Sequence, residues 1–182
     1  MTIPVTLILM TIALTILIVI LGWWASFIVS NEMSTVSDIT NIIAMSIAKQ
    51  VREGIIIASY PEVIGNVSMS IFSPTDLPYP QVALNYNVTL YVKNNMYYVN
   101  ITEIVETYLT RSTYHAEAPI SGILNSSEGY LVAYDCLNLN QLPQDCIVDN
   151  DGVKILDNCY CTWSSSIFRL KKYVILKVIK TK

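Results

Sequence analysis

Charge is scarce in this 182-residue sequence, and the scarcity is concentrated at one end. Only 14% of the residues are charged and 53% are hydrophobic, whereas soluble domains carry about 25% charged residues. Residues 1–31 contain no charged side chain at all. The remainder has the apolar content of an ordinary folded domain. This distribution argues against a uniformly soluble globule and predicts one membrane-type segment followed by a single globular domain.

Patterns typical of catalysis and metal binding are also missing. His115 is the only histidine, and we interpret the polar stretch around it as a surface loop. There is no nucleophile elbow, phosphate-binding glycine loop or zinc-protease motif. The run Asp149-Asn150-Asp151-Gly152 lacks the spacing of an EF-hand, so we interpret it as a turn. We therefore expect neither an enzyme nor a bound metal or cofactor, and the net charge of −3 predicts no nucleic-acid partner.

The few charges are divided by sign along the C-terminal part of the chain. Six acids and one base lie between Glu128 and Asp157, and six bases without an acid lie between Arg169 and Lys182. Two interpretations stay open. The two groups are solvated faces of the domain, or they provide electrostatic complementarity between subunits.

Four cysteines lie within 26 residues, at Cys136, Cys146, Cys159 and Cys161. The spacing lacks the short C-x2-4-C pairs of structural zinc sites, so two disulfides are preferred over a metal site or free thiols. A one-residue spacer would strain a bridge between Cys159 and Cys161. We therefore expect both to reach back to Cys136 and Cys146, in either of two pairings. Disulfides are typical of an oxidising, extracellular compartment.

Four N-glycosylation sequons fit the same compartment. They begin at Asn66, Asn87, Asn100 and Asn125, and N-linked glycans are the one covalent addition that we expect. The sequons and the cysteines together place the C-terminal domain outside the cell.

The N-terminal residues predict one long helix. Ile3 to Val29 is uncharged, and at about 1.5 Å per residue it would be roughly 40 Å long, more than a bilayer core of about 30 Å. Beyond it, apolar residues recur at helical spacing from Met33 to Val51, and Gly54 is a plausible C-terminal stop. We predict a helix over residues 1–54 and an extracellular head over residues 55–182.

The head is predicted to be rich in strands. Apolar and polar residues alternate from Leu84 to Val92 and again from Tyr97 to Thr102, with a turn at 93–96, which is the pattern of a hairpin. Closely spaced strands without intervening helices favour an antiparallel sandwich, so the predicted class is α+β. The other candidate strands are Gly54–Tyr60, Val67–Phe72, Ile104–Thr110, Tyr130–Tyr134, Val153–Leu156 and Ile167–Ile179.

The stretch from Thr2 to Met10 resembles the mature N-terminus of archaeal type IV pilins, where a Ser-Pro-Val-Ile-like sequence opens a long apolar helix. Ile3-Pro4-Val5 falls on Ser-Pro-Val, with Ile in place of Ser. Val5 also lies where bacterial pilins place a glutamate near the helix start. The family's short basic leader does not precede Met1, so we expect that the numbering begins at the mature residue or that the leader is absent. By sequence the resemblance covers about 30 residues, and beyond them only the layout agrees.

The resemblance implies an extracellular filament in which apolar helices form the core and heads form the outer surface. It implies storage in the cytoplasmic membrane and assembly by a dedicated ATPase and membrane platform. Adhesion is the expected role. The alternatives are an archaellin, or a single-pass, membrane-anchored extracellular binding protein similar to an archaellum stator component. The residues implied in the filament core are Ile3, Pro4, Val5, Leu9, Ile16, Ile20, Trp23, Trp24, Phe27, Ile39, Ile43 and Ile47.

Overall fold

The fold is one long N-terminal helix followed by two antiparallel sheets, as predicted. A computed structural model describes residues 5–74, 85–106, 111–121, 129–148, 150 and 152–180. Two compact units divide the chain, Met1–Asp38 and Ile39–Lys182, and we call the second the C-terminal unit. The elements in chain order are α1 (Val5–Ser59), β1 (Val67–Ile71), β2 (Asn85–Lys93), β3 (Met96–Glu106), β4 (Arg111–Ile120), β5 (Gly129–Ala133), two 3-10 turns (Leu139–Gln141 and Gln144–Cys146), β6 (Ile147–Val148), β7 (Gly152–Lys154), β8 (Cys161–Ser164), α2 (Ser165–Lys171) and β9 (Val174–Lys180).

Helix α1 ends later than the sequence predicts. Gly54 does not stop it. The helix continues to Ser59, and Pro61 follows two residues later, where a proline disfavours helical geometry at the residue before it. Gly54 is buried where β1 approaches the helix, and a Cβ there would overlap the side chain of Met69. The glycine therefore serves close packing, and the predicted boundary at 54/55 lies inside α1.

One face of α1 is part of the hydrophobic core of the C-terminal unit. The predicted apolar stripe is confirmed at Ile43, Ile47 and Val51, each 1% exposed. Alanines at positions 44, 48 and 58 share this face, and their small side chains allow close packing. Gln50 fixes the helix to the chain after β1, because its side-chain amide donates to the Phe72 carbonyl and accepts from the Phe72 amide, both at 2.8 Å.

The two sheets contribute to the same core. The first has the order β1-β9-β5-β7-β6, and the second has the order β4-β3-β2-β8. All pairings are antiparallel. Alternate residues of the central strands face inward. Examples, all 0% exposed, are Val88, Ile101, Leu131, Leu176 and Val178. The core thus forms between helix and sheets from residues far apart in the chain.

The predicted hairpin is confirmed, with its turn and its apolar inner face as expected. Strands β2 and β3 pair from Asn85↔Ile104 to Lys93↔Met96. Asn94 and Asn95 both have positive φ, 52° and 63°, which a two-residue type I′ turn requires. The apolar half of the alternation is buried and the polar half faces outward, because side chains alternate between the faces of a strand.

Three secondary-structure predictions are wrong. Gly54–Tyr60 is helix up to Ser59, not a strand. The predicted strand Ile167–Ile179 is divided into α2 and β9: Ser164 caps the helix by accepting from the Ser166 amide, and Lys172 ends it with φ of 66°. His115 lies in strand β4, not in a loop. In each case the contacts of the folded chain override a local pattern.

Two disulfides form, in one of the two predicted pairings. Cys136 bonds to Cys161 and Cys146 bonds to Cys159, so the second loop is nested inside the first. Asn138 binds this region to the start of β8, because its side chain donates to the Tyr160 carbonyl at 2.8 Å and accepts from the Thr162 amide at 2.9 Å. The bridges therefore hold the long connection from β5 to β8 against the core.

Candidate membrane and assembly segment

The uncharged part of α1, which we call the apolar segment (residues 5–31), exposes its large side chains on every side. Ile16 is 54% exposed and Trp23 is 67% exposed, and the same holds along the whole segment. Within the described residues α1 is long and apolar enough to cross a membrane. A helix that is apolar all round is buried in lipid or among other helices. The two disulfides indicate an oxidising environment outside the cytoplasm for the C-terminal unit.

Two polar side chains of the apolar segment, Thr11 and Thr15, are satisfied by the helix itself. The Thr11 hydroxyl donates to the Ile8 carbonyl at 2.8 Å, and the Thr15 hydroxyl donates to the Thr11 carbonyl at 2.9 Å. Such bonds hide hydroxyls from an apolar surrounding. Near the other end, the rings of Trp23 and Phe27 stack with centroids 5.9 Å apart, and paired aromatics of this kind suit a membrane–water interface.

The residues predicted for a filament core fall into three groups. Ile39 is half-buried, and Ile43 and Ile47 are enclosed in the core of their own C-terminal unit. Ile3 and Pro4 lie outside the described residues. The exposed members are Val5, Leu9, Ile16, Ile20, Trp23, Trp24 and Phe27. Among the described members, these seven present the most apolar surface to other molecules.

A second exposed apolar site on α1 is not evident from the sequence. Ile42 and Met45 are 65% and 66% exposed, on the side opposite the buried stripe. Both lie more than ten positions beyond residue 31, where the apolar segment ends. The 27 residues of that segment already exceed the roughly 20 helical residues that a bilayer core takes. Helical spacing alone places Ile42 and Ile43 on different faces of α1, but it does not predict which of the two faces the domain covers.

A buried carboxyl connects α1 to β3. Glu103 is fully buried, and its Oε2 accepts a hydrogen bond from the Thr40 hydroxyl at 2.7 Å. Among the described residues no partner reaches its Oε1. Burial raises the pKa of Glu103, and the hydrogen bond from Thr40 opposes that shift. The alternation of β3 gave the signal in advance, since Glu103 continues the inward series Val99 and Ile101.

Two of the predicted glycosylation sites share the outer face of the β4-β3-β2-β8 sheet. Asn87 on β2 is exposed and Asn100 on β3 is half-buried. Asn66 is exposed in the connection between α1 and β1, next to Gly65 with φ of 95°. Asn125 lies outside the described residues. The structure thus separates a site in a connecting segment from two sites within strands.

Part of the divided charge is used inside the chain. Lys171 forms an ion pair with Asp135 at 2.5 Å. Lys154 lies 3.9 Å from the centroid of the Tyr130 ring, and Lys177 lies 4.8 Å from that of Tyr134. These contacts attach basic side chains of the C-terminal region to their own domain.

His115 faces outward from β4, where its Nδ1 is 3.3 Å from the Thr102 hydroxyl. In the acidic run of the sequence, Asn150 has a left-handed φ of 51°, while its neighbours Asp149 and Asp151 lie outside the described residues. Within the described residues, no cluster of three or more His, Cys, Asp or Glu side chains could hold a metal ion.

No protein-family model, curated protein or solved structure matches this chain.

Proposed function

We propose that this protein is the structural subunit of an extracellular filament similar to an archaeal type IV pilus. The subunit waits in the cytoplasmic membrane and then polymerises through the apolar segment, with the C-terminal units on the outside. The observation that carries the proposal is an uncharged helical segment, exposed on all sides, that continues into the domain core without a break in helical structure.

The length of the apolar segment supports this role. A simple anchor needs about 20 apolar residues, whereas residues 5–31 give 27 without a charge. An ordinary anchor also tends to join its domain through a flexible linker rich in Gly, Ser or Pro. Here α1 runs unbroken from Val5 to Ser59. A continuous helix in place of a flexible linker suits a subunit that polymerises through that helix.

The decisive test is electron microscopy of material sheared from cells, with mass spectrometry of the filaments. Thin filaments composed of this chain would support the proposal. A protein found wholly in the membrane fraction, without filaments, would refute it. That outcome would favour the second candidate, a membrane-anchored extracellular binding protein, whose exposed surfaces would face a partner instead of a second copy.

Substitution at Ile16 separates lipid contact from helix packing. Ile16→Lys places an unpaired charge in either environment, so it should block filament formation. Ile16→Trp is the sharper variant, because lipid accommodates a large apolar side chain and a packed helical core does not. We expect Ile16→Trp to insert in the membrane but to form no filament.

Leu170→Trp is the matched control for Ile16→Trp, since Leu170 is 84% exposed on α2. It should leave filaments intact. Normal filaments from Ile16→Trp would contradict the placement of this residue in a packed core.

A further inference from the structure

The sequons at Asn87 and Asn100 are interleaved across one strand pair. Asn87 lies opposite Thr102, and Thr89 lies opposite Asn100. Each glycosylation asparagine therefore has the threonine of the other sequon as its cross-strand neighbour. Asn100 has a further neighbour, Glu117, on the edge strand β4.

An aromatic platform lies beside Asn100 on the same face. Tyr98 precedes Asn100 by two residues, so the two side chains share the outer face about 7 Å apart. Tyr98 stacks on Tyr91 across the strand pair, with ring centroids 5.8 Å apart and planes inclined by 24°. Lys93 and Glu117 border the platform, at 3.7 Å from each other, and burial together with Glu117 raises the pKa of the Tyr91 hydroxyl to about 12.

We propose that Asn100 carries an N-linked saccharide whose first sugar packs against the Tyr98–Tyr91 platform. The apolar C–H face of a sugar suits an aromatic ring, while Lys93 and Glu117 supply polar groups for its hydroxyls. The inference concerns a modification site and rests on the proposed function only for the extracellular location of this face.

The attachment step must precede formation of the sheet. It forms a bond between the sugar C1 and Nδ2 of Asn100 and breaks the bond between C1 and a phosphate oxygen of a lipid-linked sugar donor. The amide nitrogen loses a proton, and the lipid phosphate or pyrophosphate is the leaving group. In the folded chain β3 is paired on both sides, and the Thr102 hydroxyl is 3.3 Å from His115 Nδ1. Asn66, exposed in the connection before β1, stays accessible after folding.

The first experiment is glycopeptide mass spectrometry of the protein purified from its source cells. We expect a saccharide at Asn100, lost in Thr102→Ala and retained in Thr102→Ser, because serine preserves the sequon. An unmodified Asn100 in the native protein would overturn the proposal. Site occupancy is read on the chain whether or not it polymerises, so failure here is distinguishable from failure of the filament proposal.

The second experiment is a double-mutant cycle by thermal unfolding of the full glycosylated chain in detergent. Asn100→Gln should lower Tm by about 2–4 °C when Tyr98 is present, and by much less in the Tyr98→Ala background. Asn66→Gln, which removes the sequon asparagine before β1, is the control and should change Tm equally in both backgrounds. Equal effects of Asn100→Gln in the two backgrounds would overturn the sugar–tyrosine contact. If Tyr98→Ala does not fold, Tyr91→Ala provides the same test.

Discussion

Removing the two disulfides separately and together tests how much the C-terminal unit depends on them. The bridges close loops of 25 and 13 residues. In the chain-entropy treatment a closed loop of n residues stabilises by about 298 K × (2.1 + 1.5R ln n) cal/mol/K. The Cys136–Cys161 loop alone is then worth about 3.5 kcal/mol, and the Cys146–Cys159 loop alone about 2.9 kcal/mol.

Nesting changes these values when both bridges are present. With the inner bridge closed, the path around the outer loop shortens to roughly 13 residues, so the outer bridge adds about 2.9 kcal/mol. The pair is then worth about 5.8 kcal/mol, and losing the inner bridge from the intact protein costs about 2.3 kcal/mol. We expect Cys136→Ala/Cys161→Ala and Cys146→Ala/Cys159→Ala to lose about 2–3 kcal/mol each, and the fourfold variant nearly 6 kcal/mol.

The assay is denaturant unfolding of the full chain in detergent, followed by tryptophan fluorescence. Reduction of the unsubstituted protein is the control, because it opens both bridges without removing any side-chain volume. It should match the fourfold variant to within the packing cost of the buried cysteines. If the fourfold variant were no less stable than either double variant, or if reductant left the midpoint unchanged, the loop-closure argument would be refuted.

Three further predictions concern single residues of the C-terminal unit. The pKa of Glu103 is raised on folding, so protonation of this carboxyl stabilises the folded state. That stabilisation is full below the ordinary pKa near 4.5 and is lost as pH rises through the raised folded value. Glu103→Gln should flatten that part of a curve of Tm against pH, and an unchanged slope would refute the raised pKa. Ile43→Ala should lower the free energy of unfolding in urea by about 2–5 kcal/mol, and Ile42→Ala by less than about 0.5 kcal/mol, because of this pair only Ile43 is buried. Similar losses in the two variants would contradict the burial of Ile43 and the exposure of Ile42. Trp163→Phe removes the 2.7 Å bond from the indole Nε1 to the Tyr134 carbonyl and should cost about 1–3 kcal/mol by the same assay; no loss would mean that the carbonyl finds another donor.

Much of the architecture could be predicted from local sequence. The absence of charge in residues 1–31 and the helical spacing from Met33 to Val51 define α1 except for its end. The alternation in β2 and β3 defines the hairpin and its inner face, since a side-chain period of two leaves little choice once one face is apolar. The one-residue spacer between Cys159 and Cys161 limited the disulfides to two pairings.

The candidate site was only partly predictable. The exposed apolar surface of residues 5–29 follows from composition, because a helix that is apolar all round has no polar face to direct toward water. The burial partner of Ile39, Ile43 and Ile47 does not follow from composition. A helical stripe of apolar residues has the same sequence pattern whether its own domain or another subunit covers it. The exposure of Ile42 and Met45 is evident only in the folded structure, where the opposite face of α1 packs against the core of the C-terminal unit.

The sequence by itself determined the long apolar helix, the strand-rich class and the cysteine set, because each depends on composition or on spacing along a few turns of chain. Only the tertiary structure decided that Gly54 lies inside a helix, that residues 165–171 form a short helix before β9, and that the sequons at Asn87 and Asn100 share one face beside two stacked tyrosines. Those features depend on contacts between segments distant in the chain. Met69 packs against Gly54, and Phe168 is buried in the core. The register of β2 against β3 determines which side chains are cross-strand neighbours. Local patterns carry no information about such partners.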